Sequence, residues 1–259
     1  MSSKIKRNKG TDLLQENYGV VKNNTYHFAI LPWGATEPHN NHLPYVTDCY
    51  LAYAVAVDSV NKALDKHGVR GMVLPPIPLG SQNPGQTNQP FCLHGRYETQ
   101  RLIMRDIIES LMRQGLKKLI IMNGHGGNNF KNMIRDFDLD YPDMAIACCE
   151  WFRIISQKEY FELFDDHAGE METSVMMYYY PELVHLETAG DGRINRFNIE
   201  AFNKGQVWIP RHWEKIAPDT GAGDPRRATA EKGEKYANDV TDVLADFYLD
   251  FATKSIYKY

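Results

Sequence analysis

Short apolar runs alternate along the chain with longer segments in which apolar residues recur at helical spacing. Residues 26–33 have the length of a buried strand, and residues 48–67 predict a helix that ends at Gly68. Residues 71–77 predict a short strand stopped by proline, and residues 98–114 predict a second helix. The first half of the chain therefore reads as alternating strands and helices.

The second half continues this alternation. Residues 117–122 and 144–149 predict two more buried strands with a helix between them, and a helical stretch follows residue 149. Further helices are predicted over residues 171–180 and over residues 228–257. Strands that alternate with helices indicate an α/β fold, in which right-handed crossovers cover both faces of a parallel sheet.

Composition changes this picture little. The chain has 259 residues, 43% of them hydrophobic, and a formal net charge of -4, which argues against a dedicated nucleic-acid surface. No stretch approaches the ~20 apolar residues of a membrane span, and no secretory signal is evident, so we expect a cytoplasmic protein with no nucleic-acid or membrane partner. We expect a flexible tail at residues 1–10, a single domain at residues 11–259, and four cysteines that act as small buried hydrophobes.

Three polar clusters, at residues 37–48, 123–128 and 167–174, each follow a strand or begin a helix. A parallel sheet brings such segments to one edge. Each cluster alone also fits helix capping or a simple turn, but together they supply both imidazole and carboxylate ligands. This mixture suits two divalent ions such as Zn²⁺ or Mn²⁺, with iron as a third option. The predicted metal ligands are Glu37, His39, Asp48, His125 and Glu172.

His167 is the candidate proton donor. Asp165 and Asp166 precede it, and we expect them to raise its pKa. The alternative is a histidine at a helix start that is bonded to a neighbour.

The loop over residues 78–95 is long and irregular, which is typical of functional loops. Ser81, Gln82 and His94 on this loop are predicted to orient the substrate. His42 is predicted to bind substrate or to support the metal ligands.

Four ordered segments resemble the motifs of the creatininase, or creatinine amidohydrolase, family: residues 31–39, 123–128, 167–174 and 223–233. The resemblance implies a three-layer α/β/α sandwich with a mostly parallel central sheet, two metal ions per chain and a homohexamer. By motif match, one metal is held by Glu37, Asp48 and His125. The other is held by His39, Asp48 and Glu172, so that Asp48 bridges the two.

The chain departs from creatininase itself at two motifs. Creatininase takes a metal ligand from a glutamate where this chain has Gly127, so the motif match assigns that role to Glu172, which we also count among the catalytic residues. Creatininase has an aromatic residue where this chain has Gly126, and a tryptophan where it has residues 163–164. These departures argue against creatinine as the substrate.

The resemblance implies an enzyme, a metal-dependent hydrolase that cleaves a C–N bond of a small cyclic or linear amide by metal-activated water, with His167 protonating the leaving group. Two enzymatic alternatives are ring opening of an inosose-like cyclic polyol ketone and deformylation of a formamide. His94 and Arg96 favour a polar or anionic substrate. A non-catalytic metal-binding assembly protein is the alternative outside enzymes.

Overall fold

A computed structural model describes residues 9–163 and 165–258 of the chain. Residues 1–8 of the predicted tail therefore lie outside the described residues. So does residue 164, which belongs to the segment that was compared with the tryptophan of creatininase. Lys9 pairs with Asp65, and the Gly10 amide donates to Glu16 Oε1 at 2.9 Å. These two residues are thus in contact with the domain.

The central sheet has four parallel strands in the order β2-β1-β3-β4. Trp33 is in register with Asn123, and Asn123 with Glu150, so the carboxyl ends of three strands lie side by side. Segments that leave these strands therefore begin at one edge of the sheet. The strands are β1 (Phe28–Trp33), β2 (Gly71–Val73), β3 (Lys118–Asn123) and β4 (Ala145–Glu150).

Helices cover both faces of this sheet. The longer ones are α2 (Thr47–His67), α3 (Tyr97–Arg113), α4 (Lys131–Asp140), α5 (Glu170–Tyr179) and α8 (Ala230–Thr253). The one-turn helices are α1 (Tyr18–Val21), α6 (Glu200–Asn203) and α7 (Trp213–Ile216).

Alternate residues of each strand point to opposite cores. Ile30 and Ile120 pack in one core with α2, α5 and α8, whereas Leu31 and Ile121 pack in the other with α3 and α4. The predicted three-layer α/β/α arrangement with a parallel central sheet is confirmed.

Two predicted segments differ from the structure. The strand over residues 71–77 ends at Val73, since Pro75 and Pro76 have no N–H to donate to a neighbouring strand. The predicted helix after β4 is wrong: two short 3-10 turns, Trp151–Arg153 and Gln157–Glu159, replace it. The side-chain Nε2 of Gln157 donates to the Phe152 carbonyl oxygen at 2.9 Å and ties the two turns together.

The prediction of four buried cysteines is also partly wrong. Cys49 and Cys92 are buried, but Cys148 is exposed. Cys148 belongs to β4, which forms the edge of the sheet and is only partly covered. An edge strand lacks the neighbour that would shield its second side.

The position of α5 is fixed by close packing against α8. A Cβ at Gly233 of α8 would lie 1.9 Å from the carbonyl oxygen of Ser174 in α5, so only glycine permits this approach. Just before α5, β5 (Asp165–His167) pairs antiparallel with β6 (Ala222–Gly223). These contacts place the third polar cluster beside the other two. Among the described residues, no helix has the length and apolar character needed to cross a membrane.

Candidate metal centre

The five predicted metal ligands come from four elements that meet at the carboxyl edge of the sheet. Glu37 and His39 lie on the loop after β1, and His125 follows β3. Asp48 and Glu172 lie in the first turns of α2 and α5. All five side chains are buried, with at most 7% of any residue exposed. Buried ionisable groups at this density require charged partners.

The ligand atoms of the five predicted residues form two overlapping groups, and a third group joins His167 to Glu37 and His39. One contains Glu37, Asp48 and His125, which we call the first position. The other contains His39, Asp48 and Glu172, which we call the second position. Within each group the atoms that could hold an ion lie within 4.8 Å of one another. These are the groupings predicted from the motifs, with Asp48 common to both.

Three histidines at the site share one hydrogen-bonding pattern. In each, one ring nitrogen donates to a backbone carbonyl, so the other nitrogen is the one that would bind an ion once it has lost its proton. This arrangement is typical of metal-binding histidines, because the carbonyl fixes the tautomer and the ring orientation. The bonds are His39 Nδ1 to Glu37 O (3.0 Å), His125 Nε2 to Ser81 O (2.9 Å) and His167 Nε2 to Pro38 O (2.9 Å).

One carboxylate oxygen lacks the partner that burial demands. Asp48 Oδ2 is buried and accepts no well-aligned hydrogen bond from the described residues, although it lies 3.1 Å from His125 Nδ1. The same nitrogen lies 2.9 Å from Glu37 Oε1, and Asp48 Oδ1 lies 3.1 Å from His39 Nε2. A cation among these atoms would satisfy all of them. The donor set therefore fits two divalent ions.

The ligands at this site hold one another in charged forms. Burial lowers the pKa of His39, but Asp48, Glu172 and Glu37 outweigh burial and raise this pKa to about 10. The pKa of His125 also lies well above its ordinary value, because Glu37 and Asp48 outweigh its burial. Burial raises the pKa values of Glu37 and Asp48, but the neighbouring histidines lower both by more. Divalent cations compete with protons for such ligands.

Glu172 differs from the other two carboxylates. Burial raises its pKa to about 8, with His39 opposing and Asp165 adding to the rise. Its Oε2 accepts a hydrogen bond of 2.6 Å from the Ala168 amide. This carboxylate is therefore the least readily ionised of the three.

Gly127 explains why this chain departs from creatininase at the second motif. A Cβ at Gly127 would lie 2.2 Å from Ser81 O and 2.5 Å from His125 Nε2. A glutamate side chain would therefore displace the hydrogen bond that orients His125. Gly126 is different, because a Cβ there would meet nothing within 4 Å. The space in front of His125 is thus open.

The pKa predicted for His167 is wrong in direction. Burial lowers this pKa, and the positive charge of His39 lowers it further. The two carboxylates expected to raise it are engaged elsewhere. Asp165 accepts the backbone amides of residues 169, 171 and 172 at the start of α5, and Asp166 pairs with Arg211.

A cavity of about 310 Å³ opens over the centre. Of the described residues that line it, none is among the predicted substrate contacts Ser81, Gln82, His94 and His42. The loop over residues 78–95 instead folds on itself and supports the ligands. Ser81 contributes its backbone to His125, the Gln82 amide donates to His94 Nδ1 at 3.0 Å, and His42 Nε2 lies 2.8 Å from Thr173 Oγ1.

The cavity contains residues that the sequence analysis missed. Gln86 is 2% exposed and donates its side-chain amide to Glu37 Oε2 at 2.5 Å. Its own carbonyl oxygen accepts from the Asn83 amide at 2.8 Å. Trp213 packs edge-on against His167, with ring centroids 5.4 Å apart. The richness of the loop in Asn and Gln was the only signal for Gln86, and it did not distinguish that residue from its neighbours.

Comparisons with known proteins identify the family of the chain. The family model described as creatininase, creatinine amidohydrolase, matches residues 19–248. A mycofactocin precursor peptide peptidase from Mycobacterium ulcerans (strain Agy99) is 26% identical over 225 residues, which cover 84% of this chain and 83% of the relative. A creatinine amidohydrolase from Pseudomonas putida is 27% identical over 183 residues, which cover 62% of this chain and 68% of the relative.

Solved structures agree as well. A protein from Bacteroides fragilis NCTC 9343, provisionally named a creatinine amidohydrolase, is 52% identical, with a TM-score of 0.96 over 97% of this chain and 100% of the other. A creatininase described with Mn is 22% identical, with a TM-score of 0.74 over 92% of this chain and 97% of the other, and shares the fold. The family model covers all four motifs of the predicted resemblance. The predicted family and enzyme class are therefore confirmed, and the chain belongs to the creatininase family of metal-dependent hydrolases.

Proposed function

We propose that the enzyme is a binuclear amidohydrolase that cleaves the C–N bond of an amide substrate. The observation that carries this proposal is the pair of buried ligand groups that share Asp48. Glu37, Asp48 and His125 would hold one divalent ion, and His39, Asp48 and Glu172 the other. Zinc and manganese are the metals we propose, since the donors are imidazole nitrogens and carboxylate oxygens. When bound in such a site, divalent ions lower the pKa of a coordinated water and polarise a carbonyl group.

His167 is the proposed proton carrier. Its Nε2 donates to Pro38 O, so Nδ1 is the nitrogen that remains to take up a proton from the attacking water. His167 lines the cavity, and Nδ1 would then deliver this proton to the leaving nitrogen. Trp213 packs against the ring and limits its movement and its contact with water.

The relatives support amide chemistry over the ketone alternative. Those reported above are named a peptide peptidase and a creatinine amidohydrolase, and a third, from Methanothermobacter marburgensis, is named a formylamino-pyrimidine deformylase. That third relative is 27% identical over 161 residues, which cover 60% of this chain and 61% of the relative. All three names describe cleavage of a C–N bond. A homohexamer and a cytoplasmic location stay predictions.

Metal analysis and activity screening test this proposal. Protein purified without chelator should contain about two ions per chain, and it should hydrolyse members of a panel of lactams, formamides and short peptides. A chelator should abolish this activity, and Zn²⁺ or Mn²⁺ should restore it. Fewer than one ion per chain would favour the non-catalytic alternative. Opening of cyclic ketones without amide hydrolysis would favour the ring-opening alternative.

A further inference from the structure

Two arginines, Arg153 and Arg211, line the cavity over the metal centre. We propose that they bind an anionic group of the substrate, a carboxylate or a phosphate, while the scissile amide lies at the metals. This inference deepens the proposed amide hydrolysis and rests on it for the reaction. Its test measures ligand binding and not hydrolysis, so the anion site and the proposed amide hydrolysis can fail separately.

Each guanidinium is held in place by a carboxylate and an aromatic ring. Arg211 pairs through Nη1 with Asp166, and its Cζ lies 4.8 Å from the centroid of the Trp213 ring. Arg153 pairs through Nη1 with Glu150 at 2.9 Å. Its Cζ lies 5.6 Å from the centroid of the Phe152 ring.

This construction leaves both groups ready to bind an anion. A guanidinium has five N–H donors in a planar fork, and a carboxylate on Nη1 uses only part of the fork. Arg211, which is 35% exposed between Asp166 and Trp213, is the more restricted of the two, so it loses less conformational entropy when a ligand binds than Arg153, which is 70% exposed. Forks of this kind match the oxygens of carboxylates and phosphates.

The two arginines lie where a substituent of the substrate would pass. Trp213 contacts both Arg211 and His167, so Arg211 is one ring away from the proposed proton carrier. Arg153 lines both the inner cavity and an outer chamber of about 750 Å³ formed by residues 152–158, 161–163 and 165. An amide at the centre can therefore extend within the inner cavity toward Arg211, or past Arg153 toward the outer chamber.

The net charge of the metal-loaded cavity also favours an anionic ligand. Two divalent ions and the two arginines would carry six positive charges, against five on the carboxylates that line the cavity, which are Glu37, Asp48, Asp165, Asp166 and Glu172. Asp165, which also lines the cavity, directs its oxygens to backbone amides of α5. The loaded cavity would then attract anions. The predicted anionic preference is thus retained, but it moves from His94 and Arg96, which are not among the described lining residues, to Arg153 and Arg211.

Three small ligands with the same acetamide group test the proposal on the metal-loaded protein. N-acetylglycine carries a carboxylate, (acetylamino)methylphosphonate carries a phosphonate, and N-acetylglycinamide is neutral. We expect calorimetry to give at least one anion a Kd about tenfold below that of the neutral amide, as charge-assisted hydrogen bonds predict. The tighter of the two anions identifies carboxylate or phosphate as the natural group.

Variants then locate the effect. Arg153→Gln and Arg211→Gln should each weaken anion binding about tenfold and leave the Kd of N-acetylglycinamide unchanged. Arg101→Gln is the matched control, since Arg101 lies on α3 outside the described cavity lining, pairs with Asp140 and has its Cζ 5.3 Å from the centroid of the Phe137 ring. It should change nothing.

Two results would overturn the inference. One is equal affinity of the normal enzyme for all three ligands. The other is an anion preference that survives when Arg153→Gln and Arg211→Gln are combined and the metal content is unchanged. The anion would then be bound by the metals alone. If Arg211→Gln does not fold, Arg211→Lys should keep the charge, lose the fork and bind anions with intermediate affinity. Unaltered anion affinity in that variant would count against Arg211.

Discussion

The two candidate metal positions share Asp48 but are supported in different ways. In the first position, Gln86 donates to Glu37, and Ser81 orients His125 through its backbone carbonyl. In the second position, the Ala168 amide occupies an oxygen of Glu172, and burial raises the pKa of this carboxylate to about 8.

The difference concerns how much each position must change when an ion binds. The first position has two carboxylates with lowered pKa values, one of them the shared Asp48, and its His125 lies two residues after β3. The second must ionise Glu172 and share an oxygen that already accepts a backbone hydrogen bond. Preorganised sites bind more tightly because less free energy is lost in rearrangement. We therefore expect the first position to fill at lower metal concentration than the second.

The largest effect is expected from Asp48→Asn, because Asp48 belongs to both positions. Loss of this charge should remove both ions and lower activity by more than about 100-fold, since even changes to residues behind the ligands cost 10–100-fold. Elemental analysis gives the metal content, and circular dichroism verifies folding. Asp65→Asn, an exposed position on the same helix, is the control and should retain both ions. A fully loaded and active Asp48→Asn protein would refute the shared role.

The next largest effect is expected from Glu172→Gln. Only the second position should empty, so metal content should fall from two ions to one. Activity should again fall by more than about 100-fold, because the second ion is part of the proposed binuclear centre. Glu182→Gln, an exposed position in the turn after α5, should keep two ions. Retention of two ions in Glu172→Gln, or loss of both, would break the distinction between the positions.

Much of the fold and of the ligand set could be predicted from the sequence, and the reason is local. Strands and helices have their own periodicity, and the ligands lie directly beside them. His125, for example, follows β3 by two residues. The register of parallel strands then brings such residues together without any knowledge of loop paths. Errors fell where the signals were mixed, as over residues 150–163, or where the outcome depends on distant neighbours, as for the burial of Cys148 and the pKa of His167.

The residues that hold the ligands in place and line the cavity could not be predicted from the sequence, because their contacts are not local. Gln86 is 49 residues from Glu37, and Arg211 is 45 residues from Asp166, so these contacts depend on loop paths that no periodicity encodes. Ser81 shows a second limit. It was predicted to orient the substrate, whereas its backbone carbonyl makes the contact with His125. The type of a side chain gives no information about a backbone contact.

The smallest of these effects, and the most selective test of the comparison, is expected from Gln86→Leu. Leucine fills similar space without a donor, so Glu37 Oε2 loses its hydrogen bond and its fixed orientation. Loss of such a partner typically lowers metal affinity by about 10–100-fold. Chelator competition should show this loss at the first position only. The metal affinities of the two positions would then be closer to each other. Asn88→Ala, in the same 3-10 turn but paired with Glu214, should leave both steps unchanged. Equal weakening of both steps in Gln86→Leu would mean that the two positions share their support, and the asymmetry inferred from Glu172 would then have to arise from that residue alone.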